Sequence, residues 1–301
     1  MHIKPNNSII GVVLILLATL LLSFRSILVK LAYTENISLM DLFYFRFLFT
    51  VPLLFCFAFY QKGKKLFSTI LNKDIFLYCA LAGFFGYYLA TLSDFHSLQL
   101  INANINRIIL YSFPIYVLIF NSIISKKLPS NTEILSFILV QLFLLFVLGG
   151  TDIKLLSSIS KSGVFLALLA AISYSIYIII NQQVGKKIGS ILFTTYAIIF
   201  SFLFINVHFW FSFQESQPIT KNGWIMIIIM AIFCTFLPLL LISEGIKRIG
   251  AQRFALLNTA GPVMTIILCF VILNETMTLQ QIIGSVMVIT ILYFSERMKA
   301  L

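Results

Sequence analysis

Eight ionisable side chains stand inside long apolar runs of this 301-residue chain: Arg25, Lys30, Arg46, Arg107 and Arg253, with Asp94, Glu244 and His96. These are the residues whose types could do chemistry. A charge at a helix centre in a bilayer costs roughly 2.5–3.5 kcal/mol, so each must be paired, reach water or lie shallow enough to snorkel. An unpaired guanidinium in such a place reads a carboxylate or phosphate, and an Asp beside an Arg makes an ion pair that can open and close. His96 suits a proton relay, and equally a satisfied residue near a helix end. Catalysis is the weaker reading. There is no Walker loop, HExxH, GxGxxG or nucleophile elbow, and His2, His96 and His208 lie far apart in the chain. The expectation is a protein that binds and passes small molecules without being an enzyme or using a cofactor. An intramembrane enzyme would need convergent His, Asp or Ser groups. A receptor or assembly factor would carry a large soluble domain or a long loop.

The elements that position these charges follow from composition. Of the chain, 60% is hydrophobic and 10% charged, with a mean hydropathy of +1.03. Soluble domains run about 45–50% apolar and about 25% charged, so this chain needs lipid to solvate it. A bilayer core takes about 20 apolar residues per helix. Breaks at charged or Gly/Pro/Asn-rich punctuation predict spans at 9–31, 39–60, 75–98, 101–125, 132–149, 163–183, 191–213, 222–247, 250–273 and 279–297. The first is read as a retained helix, since no small-residue cleavage site follows it. With a cytoplasmic N-terminus, thirteen basic residues fall inside: Lys4, Lys62, Lys64, Lys65, Lys73, Lys126, Lys127, Lys186, Lys187, Lys247, Arg248, Arg297 and Lys299. Three fall outside, Lys154, Lys161 and Lys221. This positive-inside bias puts both termini on the cytoplasmic side. It also accounts for the net charge of +11 without nucleic acid as a partner. Cys56, Cys79, Cys234 and Cys269 lie in apolar runs with no CxxC pair, and read as small hydrophobes, not metal ligands.

The chain repeats itself about the loop from Gly150 to Ser162. Gly11-Val-Val-Leu-Ile-Leu-Leu-Ala18 matches Gly163-Val-Phe-Leu-Ala-Leu-Leu-Ala170, and Ile101-Asn-Ala103 leads to Pro114 as Ile249-Gly-Ala251 leads to Pro262. Five helices per half is odd, so the second half must be inverted, which is a common transporter architecture. The expected fold is an all-α integral membrane protein of ten transmembrane helices in two inverted five-helix repeats, 9–149 and 163–297. In Gly245-Ile246, Ile249-Gly-Ala251, Gly261-Pro262-Val263, Leu273-Asn-Glu275 and Gly284 the sequence resembles the drug/metabolite transporter superfamily, in the branch with two EamA domains. A weaker copy runs through Asp94-Phe95, Leu98-Gln99, Arg107 and Tyr111 to Pro114. Two positions depart from the pattern: Lys127 stands where the second repeat has Glu275, and Asn106 stands where an acid is common. The resemblance implies ten helices and transport, often export, of substrates ranging from amino acids to drugs.

Depth sorts the charges. Arg25, Arg46 and Arg107 fall about two turns below the outer surface, with Asp94 and His96 slightly shallower, while Glu244 and Arg253 lie towards the cytoplasm. Asp94 and Arg107 are expected to pair at an outer gate, leaving Arg25 or Arg46 for a substrate anion; a structural salt-bridge network uses the same residues. Glu244 with Arg253 is expected to form a structural pair. Polar stripes at helical spacing run through Asn104, Arg107, Tyr111 and Pro114, through Tyr174, Tyr177 and Asn181, and through Thr19, Ser23, Ser26 and Lys30. Such stripes line a pathway or a helix contact. Pro114 and Pro262 are expected to kink their helices midway. Together these predict a transporter of a small polar metabolite in a bacterial inner membrane. The expected partners are the substrate and the lipid bilayer, with protons as a coupling ion or, equally, exchange or facilitated diffusion, and the protein monomeric or homodimeric. A drug or cation exporter is the alternative.

Overall fold

A computed structural model describes residues 5–35, 37–101, 103–148, 160–211, 219–273 and 276–298. Among these there is no strand, and the chain runs from helix to helix. The first half comprises α1 (Pro5–Thr34), α2 (Leu39–Lys62), a short α3 (Lys65–Ile70), α4 (Lys73–Gly83), α5 (Ala90–Leu100), α6 (Ala103–Leu110), α7 (Phe113–Ser125) and α8 (Asn131–Val147). The second comprises α9 (Lys161–Ile188), α10 (Ser190–Phe211), α11 (Lys221–Ala231), α12 (Leu237–Ile249), α13 (Ala251–Asn258), α14 (Gly261–Leu273) and α15 (Leu279–Met298). A π-helical segment joins α4 to α5 (Phe84–Leu89) and another joins α11 to α12 (Ile232–Phe236). Among the described residues nine stretches are long and apolar enough to cross a membrane, and Asn131–Val147 is a shorter apolar tenth. The protein is a multi-pass, ten-helix membrane protein.

The ends of the helices are written locally. Side chains of Ser38, Asn72, Ser160 and Thr220 each accept from an amide in the first turn that follows, and Ser130 with Glu133 forms a capping box. At Gly250 a φ of +87° turns the chain from α12 into α13 within one residue.

The helices add local detail to the expected spans. The fourth and ninth are each interrupted, at Tyr111–Ser112 and at Thr259–Ala260, just ahead of Pro114 and Pro262, which stand at the second position of the helical segment that follows. A proline there lacks an N–H that the first turn would leave unbonded. The third and eighth spans contain the π segments, which no pattern of apolar residues announces. The fifth is a 17-residue helix starting at Asn131.

The most extensive packing joins the two halves. α1 lies along α12 and α14, α9 along α5 and α7, α2 against α10 and α11, α4 against α10, and α8 against α15. Small residues allow the closest approaches: a Cβ on Gly11 would fall 2.5 Å from Ile249, and one on Gly163 would fall 2.6 Å from Ile101. The largest buried cluster draws Ile15, Tyr177, Phe193, Ile246 and Phe254 from five helices of both halves.

Candidate functional site

Four ionisable side chains on four helices of the first half converge inside the bundle. Arg25 comes from α1, Arg46 from α2, Asp94 from α5 and Arg107 from α6. Arg107 Nη1 lies 3.9 Å from Asp94 Oδ2, so the expected partners do meet, at the long end of ion-pair geometry. Arg25 is within electrostatic reach of Arg107, Asp94 and Tyr111, and Arg46 is within reach of Arg25. Two guanidiniums, Arg25 and Arg107, therefore share the Asp94 carboxylate, and the third, Arg46, adjoins Arg25. Neither end of the group is satisfied. Asp94 Oδ1 is buried without a hydrogen-bond partner. Arg46 is 7% exposed, its guanidinium over the rings of Phe43 and Phe47 at 5.7 and 5.2 Å, and its Nε is unpartnered. Such ring contacts return about 0.5–2 kcal/mol each, comparable to the insertion penalty of roughly 2.5–3.5 kcal/mol but without meeting the guanidinium's hydrogen-bonding needs. The cluster has donors to spare for an anion.

Asn106, next to Arg107, faces a different way. It is fully buried, and its Nδ2 donates to Ser97 Oγ at 3.1 Å, while Ser97 donates to the Gly163 carbonyl at 2.8 Å. It fastens α6 to α5 and to the start of α9, and Asp94 is the carboxylate that Arg107 meets. His96 is half-buried and makes no hydrogen bond or ion pair among the described residues. The side chain of Asn104 lies outside the described residues, as do those of Ser26 and Lys30 and residues Asn274 and Glu275.

A row of phenols adjoins the arginines. Tyr174 is within reach of both Arg25 and Tyr111. It stacks on Tyr177 with ring centroids 5.8 Å apart and meets the Phe113 ring edge-on at 5.2 Å. The Tyr87 and Tyr177 hydroxyls are 2.5 Å apart, and Asn181 Nδ2 donates to the Tyr177 hydroxyl at 3.2 Å. Ser243 donates to Asn181 Oδ1 at 2.9 Å, and its neighbour Glu244 accepts from Ser190 Oγ at 2.6 Å. The stripe on α9 thus lies in the interior, with Tyr177 and Asn181 spent on hydrogen bonds. Thr19 and Ser23 of α1 reach Asn258 Oδ1 at 3.3 Å and the Gly261 carbonyl at 3.2 Å, so they hold α1 against the ninth span.

Glu244 and Arg253 do not pair with each other. Glu244 takes Arg248 at 2.9 Å and Lys247 at 3.3 Å, its neighbours one turn along α12. The turn at Gly250 carries Arg253 away towards α15, where its Nε donates to both Glu296 oxygens at 2.8 Å and its Nη1 to Ser8 at 2.7 Å. Residues that the sequence reading passed over also matter. Gln182 joins Asn121 at 3.0 Å and accepts from the Ala251 amide, tying α9 to α7 and α13. Tyr87 and Cys234 sit on the two π segments. A polar residue in an apolar run was the only available signal, and it marked Gln182 better than Tyr87 or Cys234. Small cavities of about 20 Å³ at Tyr44, Tyr88 and His208 and about 90 Å³ at Thr265, Cys269 and Gln281 are below metabolite size.

"Uncharacterized transporter YcbK" of Bacillus subtilis (strain 168) is 29% identical over 93% of this chain and 91% of its own length. "Uncharacterized transporter YyaM" of the same organism is 26% identical over 58% of each chain. A solved crystal structure of 14% identity matches with a TM-score of 0.75 over 98% of both chains, a likeness of fold alone. The EamA-like transporter family matches residues 9–149 and again residues 161–296, and with both halves so covered the chain belongs to that family.

Proposed function

We propose that this membrane transporter is a secondary carrier that exports a small polar metabolite bearing a carboxylate or phosphate, such as an amino acid, by alternating access between two inverted halves. The observation that carries this reading is the run of three arginines inside the bundle, in which Arg107 and Arg25 are near Asp94 and Arg46 is near Arg25. An anionic group entering it meets guanidinium donors whose protein partners are missing or distant. The Asp94–Arg107 pair, at 3.9 Å, is loose enough to open as the anion competes for Arg107. The inner layer at Glu244, Ser190 and Asn181 joins α9, α10 and α12 and serves as the opposite gate. Two features support inversion: pairings of α1 with α12 and of α9 with α5 are equivalent in the repeat, and the lysines concentrate at one side. Asp94 and His96 are the residues placed to couple a proton. A second reading, export of a cationic compound, is favoured by one observation, the unpartnered Asp94 Oδ1.

A thermal-shift panel of amino acids, other carboxylates, sugar phosphates, nucleotides and cationic drugs on the purified protein separates the two. A ligand at about 100 times its Kd stabilises the folded state by about 2.7 kcal/mol. Anionic or zwitterionic hits that vanish in Arg25→Gln, with the melting temperature of the unliganded protein preserved, are the expected result. Hits among cations alone, lost in Asp94→Asn, would transfer the assignment to cation export.

A further inference from the structure

The arginine cluster is bounded on one side by the second half of the chain. The π segment Ile232–Phe236 packs against both α1 and α2, the helices that carry Arg25 and Arg46. Cys234, at its centre, is 2% exposed and within electrostatic reach of both guanidiniums. Thr50, one turn beyond Arg46, donates to the Ala231 carbonyl at 3.3 Å and fixes the segment against α2. A π segment interrupts the regular i→i−4 ladder and widens one turn, a distortion that recurs at functional sites.

The matching place in the other half shows what differs. Gly86 and Cys234 are 148 positions apart, the spacing of Pro114 and Pro262, while Arg25 and Tyr177 are 152 apart, the spacing of Gly11 and Gly163. Gly86 lies in the π segment Phe84–Leu89 and sits directly on Tyr177, so that a Cβ there would fall 2.5 Å from the ring. One half therefore sets a phenol against a glycine, and the other sets a guanidinium against a thiol. The phenol is satisfied: Tyr177 is 1% exposed and its hydroxyl bonds Tyr87 and Asn181. Beside Arg25, its counterpart, stands Arg46, which is more than nine-tenths buried and whose Nε has no partner.

We propose that Arg25, Arg46 and the π segment at Cys234 together form an oxyanion subsite shared by the two halves, taking the carboxylate or phosphate of the cargo. Cys234 then lies beside the bound anion, and its side-chain volume limits the size of head group admitted. This assignment rests on the reading of the protein as a carrier of anions. It adds that the second half contributes to the binding of the charge, so that movement between the halves acts on the bound group itself.

Thiol chemistry tests it without an identified substrate. In a variant with Cys56, Cys79 and Cys269 changed to Ala, Cys234 is the one thiol. It is treated with two methanethiosulfonates of similar size, one ending in a sulfonate and one in a trimethylammonium. In either reaction the Cys234 sulfur forms a disulfide with the reagent, methanesulfinate leaves with the bonding electron pair, and the thiol proton passes to solvent. Charge focusing in a cleft raises local ion concentration by about 10–10³-fold, so the anionic reagent should react roughly tenfold faster or more. Arg46→Gln should bring the ratio towards one, and Arg46→Lys should keep much of it. Inorganic phosphate should slow the anionic reagent. Equal rates, a preference for the cation, or no labelling until the protein is denatured would overturn the subsite. If Arg46→Gln does not fold, the charge preference of the parent and of Arg46→Lys still decides. Proteoliposome uptake of labelled carboxylates separates this from the wider reading. Anionic preference at Cys234 with no anion transport keeps the subsite and removes the carrier of anions; transport without the preference does the reverse.

Discussion

Each charged residue inside the bundle takes its role from its distance to an opposite charge. Arg253 grips Glu296 through its Nε at 2.8 Å to both oxygens, a geometry suited to holding. Arg107 stands 3.9 Å from Asp94 and is a third exposed, a geometry suited to exchange. Breaking a fully buried pair costs about 3–5 kcal/mol, and the exposure of Arg107 puts this one well below that. Asp94→Arg and Arg107→Asp should each abolish transport, and the double variant should recover a measurable part of it while both singles remain folded. A swap that recovers nothing would mean that one of the two touches the cargo directly. The charged members of this cluster were legible in the sequence because an arginine in an apolar run must find a partner, water or the surface. Tyr87 and Cys234 were not, since an uncharged side chain in such a run acquires meaning only from what packs opposite it.

At the scale of the element, irregularity gathers in spans three, four, eight and nine. Two carry π segments and two are broken ahead of a proline. Just ahead of Pro262 the Gly261 carbonyl accepts from Ser23 of α1 at 3.2 Å and from Thr265 at 3.0 Å, which ties α1 to the interrupted span. The π segment at Phe84–Leu89 follows a close approach of two helices at Gly83. A Cβ on Gly83 would lie 2.5 Å from the Ala197 carbonyl oxygen and 2.7 Å from the Ser201 amide nitrogen, both backbone atoms of α10. Backbone cannot step aside as a flexible side chain does. Gly83→Ala should therefore lower stability by roughly 1–3 kcal/mol through overpacking, read as a lower melting temperature in detergent. An unchanged melting temperature would mean that α4 and α10 stand further apart. None of this was readable from hydropathy, because a π turn and an α turn bury similar side chains at nearly the same spacing.

For the whole molecule, the loop at 150–162 divides the sequence but not the packing. The principal helix contacts run between halves, and the main core takes residues from both. Neither half retains its buried surface alone. Heating in detergent should therefore give one cooperative transition, with tryptophan fluorescence from Trp224 and a probe in the first half melting together. Two separated transitions would show that the halves fold independently despite their shared core. The same interleaving makes the charge cluster depend on both halves: its four ionisable groups are in the first, and the wall beside them is Ile232–Phe236 in the second.

The sequence by itself determined that the chain lives in lipid, that it crosses about ten times, and that it resembles two EamA repeats. These follow from local requirements, since every crossing needs its own apolar run and every loop keeps its own lysines. The tertiary structure alone decided which charges meet. Glu244 is claimed by its own helix through Lys247 and Arg248, and Arg253 by Glu296, 43 residues onward. Thr19 finds its partner Asn258 at a separation of 239 residues. Composition sets the cost of leaving a charge unpaired in the membrane, but only the packed helices determine which group lies near enough to relieve it.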